Sequence, residues 1–296
     1  MTKTSVKMPI KGSIAALVTP FHNDGSINFE KLAELVEFHI EHQTAAISIL
    51  GTTGESPTID FDEQKQIVKK VIQLANGRIH VNVGAGSNDT RKACLLAQTF
   101  TELGADSLLV ITPYYNKSND SGLYKHFTAI ADSTDTPIIM YNVPSRTGVV
   151  LPVNIVRELS VHPHIAALKE ASGDIGYAVA VSPYLSDDFA MYSGNDDMIV
   201  PLLSLGASGV ISVLANIMPS EVQELVTSFA DNPKHALALQ QKYLPLIHSL
   251  FLETNPIPVK FAMNQLGHNV GPLRLPLDEA SPAVQEKIIR ELAAFF

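Results

Sequence analysis

One unit recurs along most of this chain: a short apolar run, a loop of small and polar residues, and then an amphipathic segment. Apolar side chains in the amphipathic segments return with the 3.6-residue period of a helix, as at Ile67, Val71 and Leu74. Asp60 and Glu63 form a capping box that begins the same predicted helix. The apolar runs predict eight strands, at residues 13–19, 46–50, 80–85, 107–112, 137–142, 165–169, 189–193 and 209–213.

The order of these elements favours a parallel sheet, because strands that alternate with helices form one. Eight such units in about 200 residues predict an α/β protein with a closed (β/α)8 barrel, the TIM barrel, whose usual size is about 250 residues. An open doubly wound sheet is the alternative. Its fingerprint would be G-x-G-x-x-G after the first strand. The nearest match, GAGSND at 84–89, follows the third strand and lacks the last glycine, so the closed barrel is favoured.

The strand pattern ends near residue 218, and the rest of the chain predicts helices. The segment PSEVQELVTSFA can close the barrel as its eighth helix, and three more helical segments follow it. We therefore expect a barrel that contains the active site over residues 1–231 and a C-terminal helical region over residues 232–296.

The composition excludes several classes of function. The chain has 296 residues, 46% of them hydrophobic, and a formal net charge of −9, which disfavours nucleic acid as the main partner. Cys94 is the one cysteine, lies in a predicted helix and is expected to be a buried structural residue. No set of Cys and His has zinc spacing, so no metal site is expected. The stretch IAALV is too short for a signal peptide, and no apolar run approaches a membrane span, which predicts a cytoplasmic location.

Candidate catalytic groups come from the strand ends, because a closed barrel places its active site at the carboxyl ends of the strands and in the loops that follow them. Those positions hold the segments GTTGE (51–55), TPYYN (112–116) and YNVPSRTG (141–148), the residue Lys169, and the segment SGNDD (193–197).

Lys169 directly follows the apolar run IAAL (165–168), which places a cationic amine at the edge of the core. Loss of hydration there favours the neutral, nucleophilic amine, and such an amine forms a Schiff base with a ketone or an aldehyde. Tyr141 ends the neighbouring strand and would exchange the protons that imine chemistry needs. The alternatives are an exposed lysine paired with an acid and a tyrosine that only packs in the core.

Two further strand ends predict anion binding. Thr52 and Thr53 combine hydroxyls with the N–H groups of a turn, which together can hold a carboxylate. A tight turn bonded only to itself is the alternative. Arg146 follows the fifth strand, and guanidinium is the preferred fork for a carboxylate. A surface arginine is the alternative at that position.

Together with GVISV (209–213) and NPIPVK (255–260), these segments resemble the dihydrodipicolinate synthase family of the pyruvate-dependent class I aldolase superfamily. The resemblance extends from GSIAALVTPF (12–21) to LRLPL (273–277). It implies that pyruvate forms a Schiff base on Lys169 and condenses with L-aspartate 4-semialdehyde to give 4-hydroxy-tetrahydrodipicolinate, in the diaminopimelate route of lysine biosynthesis. No metal or organic cofactor is implied, because the protonated imine is itself the electron sink.

The resemblance also implies a role for each candidate residue. Tyr141 would donate and accept protons, Thr52 and Tyr115 would complete a relay, and Tyr115 would reach the site of a neighbouring subunit. The family is usually a homotetramer built as a dimer of dimers, so a homo-oligomer is expected. The remaining implied site residues are Thr53 and Ile211 as pyruvate contacts, Gly194 in the lining, and Arg146 as the clamp for the semialdehyde carboxylate.

Two rival functions share part of this pattern. N-acetylneuraminate lyase and the 2-keto-3-deoxy sugar acid aldolases of the same superfamily have the barrel, the lysine and the tyrosine. Arg146 discriminates, since those enzymes have small or apolar residues at this point and a polyol needs several hydrogen-bonding partners. A non-catalytic barrel that binds a keto acid is the more distant alternative. It could dispense with the nucleophile or the proton relay, and this chain has both.

Feedback inhibition by lysine is a point at which the chain departs from many bacterial members of the family. Lysine-sensitive enzymes have an acidic residue in place of Lys92 and histidines in place of Phe61 and Gln64. A cation that faces the ligand's ammonium repels it, so weak or absent inhibition is expected. The resemblance places the pocket near Pro57, Phe61, Gln64, Gly86, Asn88, Lys92 and Tyr114.

Overall fold

The computed structural model of the protein describes residues 10–296, in which eight parallel strands close into a barrel in chain order. The expected (β/α)8 barrel is confirmed, and residues 1–9 of the expected barrel region lie outside the described residues. The strands are β1 (Gly12–Ala16), β2 (Ala46–Ile49), β3 (His80–Gly84), β4 (Ser107–Ile111), β5 (Ile138–Asn142), β6 (Ile165–Glu170), β7 (Ala190–Ser193) and β8 (Gly209–Ser212).

Helices cover the outside of the barrel and continue beyond it. Those that accompany the strands are α1 (Phe29–Glu41), α2 (Phe61–Ala75), α3 (Thr90–Glu102), α4 (Asp120–Asp132), α5 (Pro144–Thr147), α6 (Val153–Leu159), α7 (Ile175–Val181), α8 (Ile199–Ser204) and α9 (Pro219–Ser228). The C-terminal helices are α10 (Pro233–Ser249), α11 (Ile257–Gln265) and α12 (Pro282–Leu292). Helix α10 lies against α8 and α9, and α11 lies against α12. Over residues 10–296, no helix combines the length and the apolar character that crossing a membrane requires.

Helix α2 begins as its sequence predicts. Glu63 N–H donates to Asp60 Oδ1 at 2.8 Å, and Asp60 N–H donates to Glu63 Oε2 at 3.1 Å. This reciprocal capping box satisfies two of the backbone donors that every helix leaves open at its first turn. It fixes the start of the first helix after the β2 strand end.

The two faces of the strands enter two different cores. One core fills the inside of the barrel and contains Ile14, Ala167 and Ile211, and the other lies between the barrel and the helices and contains Leu168. Because side chains alternate along a strand, Lys169 lies on the same face as Ala167 and faces the barrel interior. The alternation in β6 therefore places the amine above the inner core.

Two details differ from the sequence-based expectation. Strand β1 ends at Ala16, before residue 19, because the Val18 N–H leaves the ladder and donates to Asn216 Oδ1 at 3.1 Å. Cys94 is half-buried rather than buried, since its side chain lies at the border between the inner and outer faces of α3. Its Sγ lies 3.5 Å from the carbonyl oxygen of Ala129, which is a hydrogen-bond distance for sulfur.

His39 on α1 makes the stability of the fold depend on pH. Its side chain is fully buried, and burial lowers its pKa to about 3, with smaller effects from His42 and His268. An unfolded histidine has a pKa of about 6.5, so the unfolded chain binds more protons between these two values and stability falls as the pH falls. We expect His39→Asn, which keeps a partner for Thr44 and cannot titrate, to remove a slope of up to about 1.4 kcal/mol per pH unit below pH ~6.5.

Urea unfolding of the wild type and the variant at several values between pH 7.5 and about 4 checks this expectation. Parallel stability curves for the two proteins would contradict it.

Candidate active site

A cavity of about 330 Å³ lies at the carboxyl ends of the strands. Its walls come from the ends of β5 and β6, from the loops after β2, β7 and β8, and from the segment between α10 and α11. The expected barrel region (residues 1–231) and the expected C-terminal helical region (residues 232–296) therefore both contribute to the cavity. Six residues predicted for the site line it: Thr52, Thr53, Tyr141, Arg146, Lys169 and Gly194.

Lys169 and Tyr141 lie side by side at the cavity floor. They are direct partners in the β5–β6 register, as expected for residues that end neighbouring strands. Lys169 Nζ lies 4.3 Å from the centroid of the Tyr141 ring, and both side chains are buried, at 6% and 7% exposure. Within residues 10–296, no carboxylate forms an ion pair with Lys169. The alternative of an exposed, acid-paired lysine is wrong.

The acid that follows Lys169 lies on the opposite face of β6. Glu170 faces away from the cavity, where its carboxylate accepts hydrogen bonds from Asn142 Nδ2 at 2.8 Å and from the Ser172 N–H at 2.6 Å. Burial raises the pKa of Glu170, and these two partners act in the opposite direction. Asn142 and Glu170 are also partners in the strand register, so this pair holds the ends of β5 and β6 together directly beside Tyr141 and Lys169.

Gly194 leaves the space that the lysine side chain occupies. A Cβ atom at this position would lie 2.5 Å from Ala171 Cβ and 3.0 Å from Lys169 Cε. The Gly194 N–H is held by the Glu170 carbonyl oxygen at 2.7 Å, so the strand cannot easily move away. A side chain here would therefore displace the lysine stem.

We expect Gly194→Ala to lower kcat/KM for pyruvate by about 10²-fold, because a displacement of about 1 Å in a reacting group has an effect of that size. The matched control is Gly176→Ala on the exposed face of α7, where the nearest atom to the added Cβ is Asp174 Oδ1 at 3.1 Å. Steady-state kinetics of the two variants checks the expectation. Equal kcat/KM for Gly194→Ala and the wild type would contradict it.

Arg146 lies at the mouth of the cavity on the short helix α5. Its Nη2 donates to the backbone carbonyl oxygen of Asn255 at 2.9 Å, which ties the β5 loop to the segment before α11. The rest of the guanidinium is exposed and remains available to an anion at the mouth. The alternative of an arginine that faces only the outer surface is therefore wrong, because Arg146 lines the cavity.

Two predicted residues do not line the cavity. Ile211 is 1% exposed and belongs to the core inside the barrel, in the same cluster as Tyr141. Tyr115 is 93% exposed in the loop after β4 and has a φ of 70°. Neither position argues against the role that the family resemblance implies, since one lies below the cavity and the other at the outer surface.

The sequence did not indicate a role for Asn255, which lies before α11, or for Asp196, which follows β7. Asn255 lines the cavity, and its Nδ2 donates to Thr53 Oγ1 at 2.9 Å. The buried Asp196 holds the loop after β8, because its Oδ2 accepts from the Val213 and Leu214 N–H groups at 3.0 Å each. Burial raises the pKa of Asp196. The segments NPIPVK and SGNDD were the available signals, and no role was assigned to either side chain.

Fold and cavity together are those of a barrel enzyme in which a lysine at the end of one strand and an arginine line the same cavity. The model of the dihydrodipicolinate synthetase family matches residues 9–295, and the chain belongs to this family. This membership confirms the family that the motifs predicted.

Named relatives and solved structures agree with the family assignment. A 4-hydroxy-tetrahydrodipicolinate synthase of Caldicellulosiruptor saccharolyticus is 52% identical over 272 residues, which cover 91% of this chain and 92% of the relative. One of Clostridium perfringens is 48% identical over 270 residues, with coverages of 91% and 92%. The crystal structure of dihydrodipicolinate synthase from Aquifex aeolicus has a TM-score of 0.94 and 41% identity, and covers 96% of this chain and 98% of that one.

A dihydrodipicolinate synthase from Cyanidioschyzon merolae, solved with lysine bound, is also similar. It has a TM-score of 0.94 and 37% identity, and covers 96% of this chain and 98% of that one.

Proposed function

We propose that this protein condenses pyruvate, held as a Schiff base on Lys169, with L-aspartate 4-semialdehyde to give 4-hydroxy-tetrahydrodipicolinate, in the diaminopimelate route of lysine biosynthesis. The observation on which this rests is a buried lysine that has no ion-pair partner among residues 10–296, beside a tyrosine, in a cavity with an arginine at its mouth. The names of the relatives, at about half identity over most of the chain, support the same activity.

The chemistry begins with attack of the neutral Lys169 amine on the carbonyl carbon of pyruvate. The carbinolamine loses water and becomes a protonated imine, which withdraws electrons from the methyl group. Loss of a methyl proton gives an enamine, its carbon attacks the aldehyde carbon of the second substrate, and the aldehyde oxygen takes up a proton. The amino group of that substrate then attacks the imine carbon and displaces the Lys169 amine, which closes the ring and frees the lysine. The imine nitrogen serves as the electron sink throughout, so the proposed reaction uses no metal and no organic cofactor.

Tyr141 is the proposed proton donor and acceptor in these steps, because its ring lies against the Lys169 amine. Thr52 lines the same cavity and is proposed to complete a proton relay together with Tyr115. The exposed Tyr115 is proposed to act in the site of a neighbouring subunit, which makes the working unit a homo-oligomer, a tetramer built as a dimer of dimers. The protein is proposed to work in the cytoplasm.

The two substrates are proposed to bind through different anion contacts. Thr53 supplies a buried hydroxyl to the pyruvate carboxylate, Gly194 leaves room for the adduct, and Ile211 forms the apolar base below it. Arg146 binds the carboxylate of the semialdehyde at the cavity mouth, where a guanidinium can make paired hydrogen bonds.

Pyruvate consumption by the purified protein tests the proposed activity. Aspartate semialdehyde, N-acetylmannosamine and glyceraldehyde are offered in parallel, at equal concentrations. We expect consumption with the semialdehyde alone. Consumption with a sugar aldehyde instead would make the protein an aldolase of the sister type, and no consumption with any aldehyde would favour a keto-acid-binding barrel.

Free lysine is expected to inhibit weakly or not at all. Lys92 is exposed near the start of α3, whereas the nearby Lys65 is paired with Asp62 at 2.6 Å. An exposed cation near the implied pocket repels the ammonium groups of lysine, and the Nε2 of Gln64 is already engaged as a donor to the Ile59 carbonyl oxygen at 2.9 Å. Initial rates with increasing lysine check this expectation. Half-inhibition at micromolar to low millimolar lysine would contradict it.

A further inference from the structure

The turn that carries Thr52 and Thr53 lies between two backbone positions of unusual conformation. Leu50 has a φ of 54° and Glu55 has a φ of 55°, and neither residue is a glycine. Side chains disfavour this left-handed region, and such conformations persist only where the surroundings determine them.

Glu55 is held by both of its carboxylate oxygens. Oε1 accepts from Lys260 Nζ at 2.8 Å, and Oε2 accepts from the Arg274 N–H at 3.0 Å. The ion pair is fully enclosed, with side-chain exposures of 1% for Lys260 and 0% for Glu55. Lys260 also donates to the Pro272 carbonyl oxygen at 2.7 Å and lies 4.4 Å from the centroid of the Phe21 ring. These contacts leave the ammonium a single arrangement.

Thr53 is held from the segment just before α11, the helix that contains Lys260. Asn255 Nδ2 donates to Thr53 Oγ1 at 2.9 Å, and both side chains are buried. A threonine oxygen that accepts this N–H keeps its own O–H free to donate elsewhere. Thr53 lines the cavity, so the remaining donor is available to a carboxylate bound there. The amide of Asn255 thus leaves the Thr53 O–H as a hydrogen-bond donor, which is what a bound anion requires.

Both contacts come from one short stretch of chain. Asn255 and Lys260 begin and end the NPIPVK segment, which enters the first turn of α11. The two hydrogen bonds join residues 202 and 205 positions apart in the chain and meet the turn at Thr53 and at Glu55. The segment therefore contacts the turn at two points, one on each side of Gly54.

We propose that Asn255 and Lys260 are positioning residues of the pyruvate site, which act through Thr53 and Glu55 to hold the turn with the Thr53 hydroxyl directed at the pyruvate carboxylate. This inference rests on the proposed function. A buried ion pair adds little stability compared with apolar side chains of similar volume, but its geometry is restrictive. Its effect is therefore on the affinity for pyruvate rather than on the fold.

Two sets of variants test the proposal. Lys260→Met combined with Glu55→Leu removes both charges together and leaves neither one buried without its partner. Asn255→Asp keeps the shape of the side chain but replaces the N–H donor with an acceptor, so the Thr53 hydroxyl turns toward residue 255. Lys69→Met, at an exposed position on α2, is the matched control for loss of a lysine.

The measured quantities are kcat, the KM for each substrate and the melting temperature. In the double variant and in Asn255→Asp we expect the KM for pyruvate to rise about tenfold or more, the effect of losing a hydrogen bond to a charged group. The KM for the semialdehyde should stay within about twofold, because Arg146 is held by the backbone carbonyl of Asn255 and not by its side chain. Lys69→Met should match the wild type in both values.

An unchanged KM for pyruvate in either variant set would overturn the proposal. So would an equal rise in both KM values together with a lower melting temperature, since that pattern describes a general loss of fold. If the double variant does not fold, Asn255→Asp alone decides. Trapping of the wild-type pyruvate adduct with borohydride distinguishes failure of the positioning role from failure of the proposed function. Without an adduct on Lys169 the proposed function itself fails, whatever the variants do.

Discussion

Lys169→Ala is expected to lower kcat for condensation by about four orders of magnitude or more, the effect seen when an enzyme loses its covalent nucleophile. Among residues 10–296, no other side chain that lines the cavity carries an amine, and the guanidinium of Arg146 does not form an imine. The fold should persist, because Lys169 has no ion-pair partner in residues 10–296 that the substitution would leave unpaired. Steady-state kinetics with aspartate semialdehyde, together with the melting temperature, measures both effects.

Lys169→Arg is the matched control for charge and length. It keeps a cation on a long stem beside Tyr141, but a guanidinium does not form the imine. We expect it to be as inactive as Lys169→Ala. Activity of the arginine variant near the wild-type level would mean that the residue acts through its charge, and covalent catalysis by Lys169 would then be excluded.

Tyr141→Phe is expected to lower kcat by about 10²- to 10⁴-fold, the usual contribution of a positioned acid–base group. The phenyl ring can keep the contact that the Tyr141 ring makes with Lys169 Nζ, at 4.3 Å from the ring centroid, so the variant removes the hydroxyl and little else. Adduct formation with pyruvate should become slower without being lost, and the KM for pyruvate should change little. Rapid-mixing measurement of imine formation and steady-state kcat check the two parts.

A paired variant identifies the cause of the loss. Tyr192→Phe removes a second buried tyrosine hydroxyl inside the barrel, where it donates to the Ile10 carbonyl oxygen at 2.8 Å and does not line the cavity. We expect that variant to keep kcat within about threefold of the wild type, since removal of one structural hydrogen bond acts mainly on stability. Equal losses in the two variants would remove the case for Tyr141 as the proton donor.

Local patterns in the sequence were sufficient to predict the barrel. The eight apolar runs, the helical periodicity between them and the capping box at Asp60 and Glu63 are all properties of neighbouring residues. The pairing of Tyr141 with Lys169 also followed, because strand ends of a parallel barrel meet at one rim. Membership of the dihydrodipicolinate synthetase family, predicted from the motifs, is confirmed.

Contacts between distant parts of the chain were not predictable in the same way. No periodicity indicates that Asn255 bonds to Thr53 or that Lys260 pairs with Glu55, since each contact depends on where α11 packs above the barrel. Half-burial of Cys94 depends on the exact rotation of α3, which an apolar neighbourhood in sequence does not specify. The role of Tyr115 depends on a second subunit and stays a prediction.

Borohydride trapping with pyruvate tests the central claim most directly. The purified protein is incubated with pyruvate, reduced, digested and mapped by mass spectrometry, with a sample lacking pyruvate as the control. Covalent catalysis by Lys169 predicts a reduced pyruvate adduct on the peptide that contains Lys169, and no adduct in the control. An adduct confined to another lysine, or no adduct at saturating pyruvate, would contradict the account.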